Sequence, residues 1–319
     1  MSKTDNVKGY GNNSINWYPG HMAKAKRMMQ ESIKLIDVVV EILDARIPQS
    51  SKNPDIDELA KGKYRVLLLN KSDMADPEKT AIWKKYYEDK GFFVSIVNSK
   101  TGAGVKSTTE IIQKACQEKL ERDRKKGILA RPLRAMIAGI PNSGKSTFIN
   151  SFAGKACTKT GNKPGVTIGK QWIRINKDVE LLDTPGILWP KFEDPQTGLY
   201  IAFIGSINDD ILFPEDMAYE LIKILMKEYP GVLKERYGIE LEKSGETKVA
   251  VDSDSGDGEN DNIPENADTK FSALEILEMI GKKRGCLKKG AEIDLLKTSK
   301  LLIDDFRTQK LGKITLEMP

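Results

Sequence analysis

The sequence has few of the residues that build metal centres and disulfides, and it has no long apolar run. One histidine and three cysteines in 319 residues exclude a histidine-rich metal centre. Cys116, Cys157 and Cys286 lie far apart without the spacing of a zinc site, so we expect reduced thiols. No apolar run approaches the roughly 18 residues that span a bilayer. The first 14 residues have neither an apolar signal core nor an arginine-rich transit pattern. These absences predict a cytoplasmic protein.

Positive charge is in excess only near the two ends of the chain. Residues 1–36 hold six Lys or Arg against two Asp or Glu, and residues 270–319 hold eleven against seven. Such ends favour an anionic partner, nucleic acid above all, although solvated basic helix faces have the same composition. The acidic run at 252–262 has no apolar residue and predicts a mobile loop. It resembles a calcium loop but lacks the terminal glutamate followed by a helix.

The segment GIPNSGKST, Gly139 to Thr147, has the spacing of a phosphate-binding loop. It follows an apolar run at 133–138, so a strand is expected to turn tightly into a helix whose first N–H groups can hold phosphate oxygens. Lys145 is expected to neutralise the β- and γ-phosphates and Ser146 to ligate Mg²⁺. Nucleotide contacts are therefore predicted for Asn142, Ser143, Gly144, Lys145, Ser146 and Thr147.

The guanine-reading tetrapeptide NKSD stands before the phosphate loop in the chain. It comprises Asn70, Lys71, Ser72 and Asp73 and follows the buried-strand pattern at 66–69. The Asp73 carboxylate can accept hydrogen bonds from N1–H and the exocyclic amine of guanine, a donor pair that adenine lacks, so it would select GTP. A tetrapeptide of this composition can also be an ordinary turn.

Segments typical of GTPase switches follow the phosphate loop. Thr167 is expected to contact Mg²⁺ and the γ-phosphate. Asp183 opens the run DTPG where a metal-facing carboxylate belongs, directly or through water, and the Gly186 N–H can meet the γ-phosphate. Proline and glycine also form such turns in many other proteins. Many GTPases have a water-orienting glutamine at the next position, but here it is Ile187, so the catalytic group must come from elsewhere.

His21 is the candidate for that catalytic group. It is the only imidazole in the chain, it titrates near neutrality, and it lies in a loop that could bend toward the γ-phosphate. It could instead cap the helix that follows, or bind RNA beside Lys24, Lys26 and Arg27.

Alternating strand and helix patterns from about 33 to 190 predict an α/β domain with a mainly parallel six-stranded sheet. Strands are expected at 38–43, 65–69, 93–97, 133–138, 171–175 and 179–182, and helices at 77–90 and 105–124. Helical patterns at 215–229, 272–281 and 292–306 predict a small all-α C-terminal domain. We therefore expect a basic segment at 1–32, the α/β domain at 33–205 and the helical domain at 206–319, with the acidic insertion near 245–268.

The order of the motifs, base-reading loops before the phosphate loop and switches, is the hallmark of circularly permuted P-loop GTPases. Together with NWYPGHM at 16–22, DARIP at 44–48 and KRGC at 283–286, it makes the sequence resemble the ribosome biogenesis GTPase A family of permuted, YlqF-type GTPases. The resemblance covers nearly the whole chain, apart from the acidic insertion.

The resemblance implies roles for several residues. Asn98 and Ser99 would contact the nucleotide, with the Ser99 N–H reading the guanine O6, and His21 would be catalytic. Asn142 would help to hold K⁺ in place of an arginine finger; the alternative is that it only braces the loop.

The resemblance also implies a GTPase that hydrolyses GTP to GDP and phosphate during late assembly of the large (50S) ribosomal subunit. It would act as a monomer away from membranes, turn over slowly alone and faster on the particle, dock on ribosomal RNA, and leave after hydrolysis. RNA contacts are expected from Lys24, Lys26, Arg27, Lys282, Lys283, Arg284, Lys288 and Lys289. A regulatory GTPase that acts on a protein effector without RNA is the alternative.

Overall fold

The computed structural model describes residues 20–128, 131–158, 171–240 and 271–319, and these form two compact units. Unit 1 comprises the described residues up to Leu212 together with Lys313–Pro319, and unit 2 is Phe213–Gly312. The chain therefore leaves unit 1 and later returns to it. The sequence patterns had placed this boundary at 205–206 and had assigned the last seven residues to the helical domain.

Unit 1 is built on a six-stranded sheet. Its strands are β1 (Val38–Asp44), β2 (Tyr64–Asn70), β3 (Phe93–Ile96), β4 (Leu133–Ala138), β5 (Gln171–Arg174) and β6 (Val179–Asp183). Their order in the sheet is β3-β2-β1-β4-β6-β5. All neighbours are parallel except β5, which runs antiparallel to β6. The predicted sheet is confirmed, with every strand within one residue of its expected bounds.

The strand order places the nucleotide motifs at one edge of the sheet. β4, which leads into the phosphate loop, lies between β1 from the earlier part of the chain and β6 from the later part. The register sets Asp44 beside Asn70 and Ile137 beside Asp183. Because the carboxyl ends of parallel strands share one edge, the loops after these strands meet there.

Seven α-helices belong to the described part of unit 1. They are α1 (Gly20–Ser32), α2 (Pro54–Leu59), α3 (Pro77–Asp89), α4 (Thr108–Ala115), α5 (Gln117–Lys125), α6 (Lys145–Ala153) and α7 (Pro195–Phe203). Three of them begin in the same way: the side chain of Asn53, Asp76 or Asp194 accepts a hydrogen bond from a first-turn N–H, and proline follows at the first helical position. Both features favour a helix start at these points.

Helix α1 packs onto the sheet of unit 1. Met22, Ala25 and Met29 are buried, at the three- and four-residue spacing of one helix face. Ala25 and Met29 join a core cluster with Val39 and Met136. The basic segment expected at 1–32 is therefore joined to the sheet domain from residue 20 onward.

The helix expected at 105–124 is two helices that break at Cys116. Cys116 has φ −96° and ψ 13° and is fully buried, whereas no residue of α5 is buried. The fully buried face of α4 ends with Ile112, Ala115 and Cys116, and in α5 the partly buried Leu120 packs against the same core. A helix pattern alone does not reveal the break at Cys116.

Unit 2 consists of α8 (Pro214–Glu228), α9 (Val232–Tyr237), α10 (Ala273–Arg284) and α11 (Leu295–Arg307) among the residues described. Its buried side chains include Leu221, Leu225, Ile276, Ile280, Leu302 and Phe306. Ser272 and Glu275 form a reciprocal capping box at the start of α10. The three predicted C-terminal helices are confirmed, and the acidic insertion lies outside the described residues. None of the helices in the described ranges has the length and apolar content needed to cross a bilayer.

Candidate nucleotide site

The phosphate loop joins the end of β4 to the start of α6, as the motif predicts. Gly139 has φ +144°, and a Cβ there would lie 2.5 Å from the Ile42 carbonyl oxygen. Gly144 has φ +94° and caps the N-terminus of α6. A Cβ at Gly144 would lie 2.4 Å from Asn70 Nδ2. Only glycine fits either position. The loop therefore delivers backbone N–H groups and a helix N-terminus to one place, which suits phosphate.

Lys145 lies within this loop. Its Nζ donates to the Ile140 carbonyl at 2.6 Å, and the residue is 7% exposed. Burial lowers the pKa of Lys145 to about 8, although the Asp183 carboxylate opposes the shift. Gly186 of the DTPG run lies against the same loop, since a Cβ there would come within 2.8 Å of Lys145 Nζ and of Pro141. An anionic group at this point would raise the pKa of Lys145 again.

Asp183 ends β6 as a buried carboxylate. Within the described residues neither of its oxygens has a hydrogen-bond partner of good geometry, although the adjacent Thr184 N–H favours the charged form. Burial raises the pKa of Asp183 to about 6 against the effect of Lys145. Buried carboxylate oxygens without donors are the ligands that a hard divalent cation prefers. The residues present thus fit Mg²⁺, with Ser146 in the first turn of α6 as the second protein ligand. Thr167 lies outside the described residues.

Asn70 connects the phosphate loop to the loop after β3. Its Nδ2 donates to the Ser143 carbonyl at 2.8 Å, and its Oδ1 accepts from the N–H and hydroxyl of Ser99 at 3.1 and 2.7 Å. Asn98 accepts from the N–H groups of Lys100 and Thr101, so its side chain closes a turn. The Ser72 N–H donates to the Val97 carbonyl at 3.3 Å. The two loops expected to read guanine are therefore held together by protein contacts.

Lys71 of the NKSD run is fixed by charges that the sequence analysis did not assign to the site. It has φ +59°, and its Nζ lies 2.9 Å from Asp44 Oδ2. The Arg46 guanidinium donates to both oxygens of the same carboxylate, at 2.9 and 2.8 Å. Burial opposes ionisation of Asp44, but the two cations outweigh it and hold its pKa well below the ordinary value. The sequence signal that could have revealed this charge cluster is Asp44 with Arg46 two positions later, at the end of the fully buried strand β1.

The predicted catalytic group lies at the edge of what the structure describes. His21 belongs to the first turn of α1, so the loop expected at this position is wrong. Its side chain is outside the described atoms. Ile187, where many GTPases have glutamine, is 1% exposed and packs in the core beside Val39 and Met136. That side chain faces the interior and cannot orient water.

Asn142 has φ +57°, and its amide nitrogen donates to the Gly205 carbonyl. The amide therefore braces the phosphate loop against the segment after α7. A cation would use the amide oxygen instead, so one side chain can serve both purposes.

The basic residues expected to bind RNA fall into two groups. Lys24, Arg27, Lys282, Lys283, Lys288 and Lys289 are exposed. Lys26 pairs with Asp55 at 2.8 Å. Arg284 donates to the Arg236 carbonyl at 2.7 Å and lies over the Tyr237 ring at 5.1 Å, so it also holds α10 to α9.

Sheet order and phosphate loop together define a GTPase with a circularly permuted G domain. Residues 134–243 match a family model described as 50S ribosome-binding GTPase. The chain is 45% identical to ribosome biogenesis GTPase A of Bacillus cereus over 96% of this chain and 94% of that protein. It is 44% identical to ribosome biogenesis GTPase A of Priestia megaterium over 96% and 97% of the two chains. The chain therefore belongs to the ribosome biogenesis GTPase A family.

A solved structure has the same fold. The crystal structure of GNP-bound YlqF from T. maritima matches with a TM-score of 0.59 and 24% sequence identity, over 93% of this chain and 98% of that chain.

Proposed function

We propose that this GTPase acts in late assembly of the large ribosomal subunit, binds ribosomal RNA of the precursor through unit 2, and leaves after hydrolysis. The observation that carries the proposal is the lysine surface of unit 2. Lys282 and Lys283 lie in the last turn of α10, and Lys288 and Lys289 follow in a turn closed by a bridge between Leu287 and Ile293. All four lysines are exposed. Such a cluster suits phosphates of RNA, and the relatives' names point to the same partner.

The proposed nucleotide contacts divide by function. The loop from Asn142 to Thr147 binds the phosphates through its N–H groups and Lys145. Asp73 accepts from the guanine edge. The Ser99 N–H donates to Asn70 Oδ1 in this structure and would share its hydrogen with the guanine O6 in the complex. Asn70 joins the two loops through Ser143 and Ser99 and acts mainly as a brace between them.

Mg²⁺, when bound, would neutralise charge on the β- and γ-phosphates, held by Ser146, Asp183 and Thr167. The chain supplies the remaining stabilisation itself. Lys145 adds positive charge beside the phosphates, and Gly186 offers a backbone N–H where the γ-phosphate leaves. Both lie within the same few ångströms of the phosphate loop.

For catalysis we propose His21, which would orient or deprotonate the attacking water. Ile187 is excluded by its chemistry and its burial. Helix α1 is anchored on the sheet by Ala25 and Met29. The segment that carries His21 is therefore fixed to the G domain from Ala25, four residues after His21. Turnover is expected to be slow until the ribosomal particle positions His21 at the γ-phosphate.

A K⁺ requirement would involve the Asn142 amide oxygen, since the amide nitrogen already donates to Gly205. Turnover compared in K⁺ and Na⁺ buffers of equal ionic strength tests this role. Equal rates would leave Asn142 with the bracing role alone.

Sedimentation with large-subunit precursors tests the whole proposal. The protein should cosediment with a non-hydrolysable GTP analogue and stay behind with GDP. The double variant Lys288→Glu/Lys289→Glu should lose binding. The control Lys61→Glu/Lys85→Glu makes the same charge change on exposed lysines of unit 1 and should retain it. Binding indifferent to nucleotide and to both variants would contradict the proposal, and a regulatory GTPase without RNA would not cosediment.

A further inference from the structure

Residues Lys313–Pro319 form a tail that is built into unit 1. Ile314, Thr315 and Leu316 are 1%, 0% and 5% exposed, although the segment belongs to no helix or strand. A segment outside regular structure ordinarily runs over the surface unless specific contacts hold it. This tail therefore has a partner within unit 1.

One partner is the segment Asp44–Ser50, which begins at the last residue of β1 and contains the DARIP run. The Leu316 N–H donates to the Arg46 carbonyl at 2.8 Å, and the Thr315 hydroxyl donates to the Ala45 carbonyl at 3.2 Å. The Glu317 carboxylate accepts from the Ser50 N–H at 2.9 Å and from its hydroxyl at 2.7 Å. These hydrogen bonds attach the tail to the loop that holds Asp44.

The other partner is the segment that continues the guanine loop, Asn70–Asp76, after β2. The Ile314 N–H donates to the Met74 carbonyl at 3.1 Å, and the Asp76 N–H donates to the Thr315 hydroxyl at 3.1 Å. Further along, Trp83 Nε1 of α3 donates to the Glu317 carbonyl at 2.9 Å. The tail therefore lies between the two loops and bonds to both.

The Thr315 hydroxyl is the centre of this arrangement. It donates to the Ala45 carbonyl and accepts from the Asp76 N–H, so one oxygen links the two loops at this point. Nearer the strands the loops are also joined directly, since the Ala45 N–H donates to the Asn70 carbonyl at 2.8 Å. On these same loops, Asp44 fixes Lys71 by an ion pair of 2.9 Å. Asp73 lies between Lys71 and Asp76. The direction of the Asp73 side chain therefore depends on the ion pair of Lys71 with Asp44 and on the hydrogen bond of Asp76 to Thr315.

We propose that the tail at 313–319 is a positioning segment for guanine recognition: through Thr315 it fixes the loop that carries Asp73. The inference rests on the guanine-reading role proposed for Asp73. Inosine nucleotides test it because they lack the exocyclic amine of guanine but keep N1–H and O6. The preference for GDP over IDP therefore reports on the second hydrogen bond to Asp73, apart from phosphate binding and general stability.

The experiment compares GDP and IDP affinity of the full chain with Thr315→Val, by competition against a fluorescent nucleotide. The parent protein should prefer GDP by about tenfold or more, the value of a hydrogen bond to a charged acceptor. Thr315→Val should reduce the preference below about threefold. Thr315→Ser keeps the hydroxyl and should restore it. Met318→Ala alters an exposed residue of the same tail and should leave it unchanged.

A second variant covers the case in which Thr315→Val does not fold. Glu317→Ala removes the attachment to Ser50 and leaves the Thr315 hydroxyl, and it should reduce the preference in the same direction. A full GDP preference in either variant, even with a lower melting temperature, would mean that the tail only stabilises the fold and would overturn the inference. A parent protein without any GDP preference would instead refute the role of Asp73 itself.

Discussion

The charged Asp183 is expected to lower the free energy of unfolding while serving the nucleotide site, and the variant Asp183→Asn measures the size of this effect. Its pKa is raised from the ordinary 3.8 to about 6, mainly by burial. A tenfold change in an acid constant is about 1.4 kcal/mol, so ionised Asp183 costs the folded protein about 3 kcal/mol at pH 7. The cost applies fully above the folded pKa of about 6, decreases as pH falls below it, and is absent below 3.8. The asparagine amide carries no charge and does not have this cost.

The nucleotide-free variant should therefore be more stable than the parent by up to about 3 kcal/mol at pH 7. The gain is smaller by the stabilisation that the Asp183 carboxylate gives to the charged Lys145, which the variant loses. The gain should vanish near pH 4. Denaturant unfolding at several pH values measures this, and Mg²⁺-dependent GTP affinity of the same variant should fall steeply. A variant that is destabilised at pH 7 by a similar amount would refute the reasoning, because the carboxylate would then make favourable contacts in the folded protein.

Three further changes have defined outcomes. His21→Ala should leave GTP affinity within about twofold while removing most of the particle-stimulated hydrolysis, since positioning contributes orders of magnitude in rate. Single-turnover rates with and without particles measure this. An unchanged stimulated rate would exclude His21 as the catalytic group. GDP affinity should decline about fivefold from pH 8 to pH 9. Since the pKa of Lys145 is about 8, the free amine loses its proton over this range and must take it up again when GDP binds. A GDP affinity that does not change with pH would show that the amine remains charged. Lys288→Glu/Lys289→Glu should reduce the slope of log affinity for RNA against log salt by roughly 0.7 per lost contact; an unchanged slope would remove these lysines from the interface.

The central strands of the sheet were accessible from sequence because they are apolar runs, as with Val38–Asp44. The edge strand β5 has one buried residue, Ile173. The phosphate loop was accessible because its glycines have no substitute at Gly139 and Gly144. Two features were not. The break at Cys116 depends on where the fully buried face of α4 ends, and the ion pair of Lys71 with Asp44 depends on the pairing of β1 with β2. Both are set by tertiary contacts that a local pattern does not contain.

The tail also constrains the order in which unit 1 can assemble during synthesis. Thr315 follows Asp76 by 239 positions and Ala45 by 270, and the whole of unit 2 is translated in between. Since a nascent chain folds from its N-terminal side, the sheet and the phosphate loop can form well before residues 314–316 leave the ribosome. The hydrogen bonds through which these residues join the two loops can form only afterwards. The phosphate half of the pocket can therefore mature early, whereas its base-reading half is completed late.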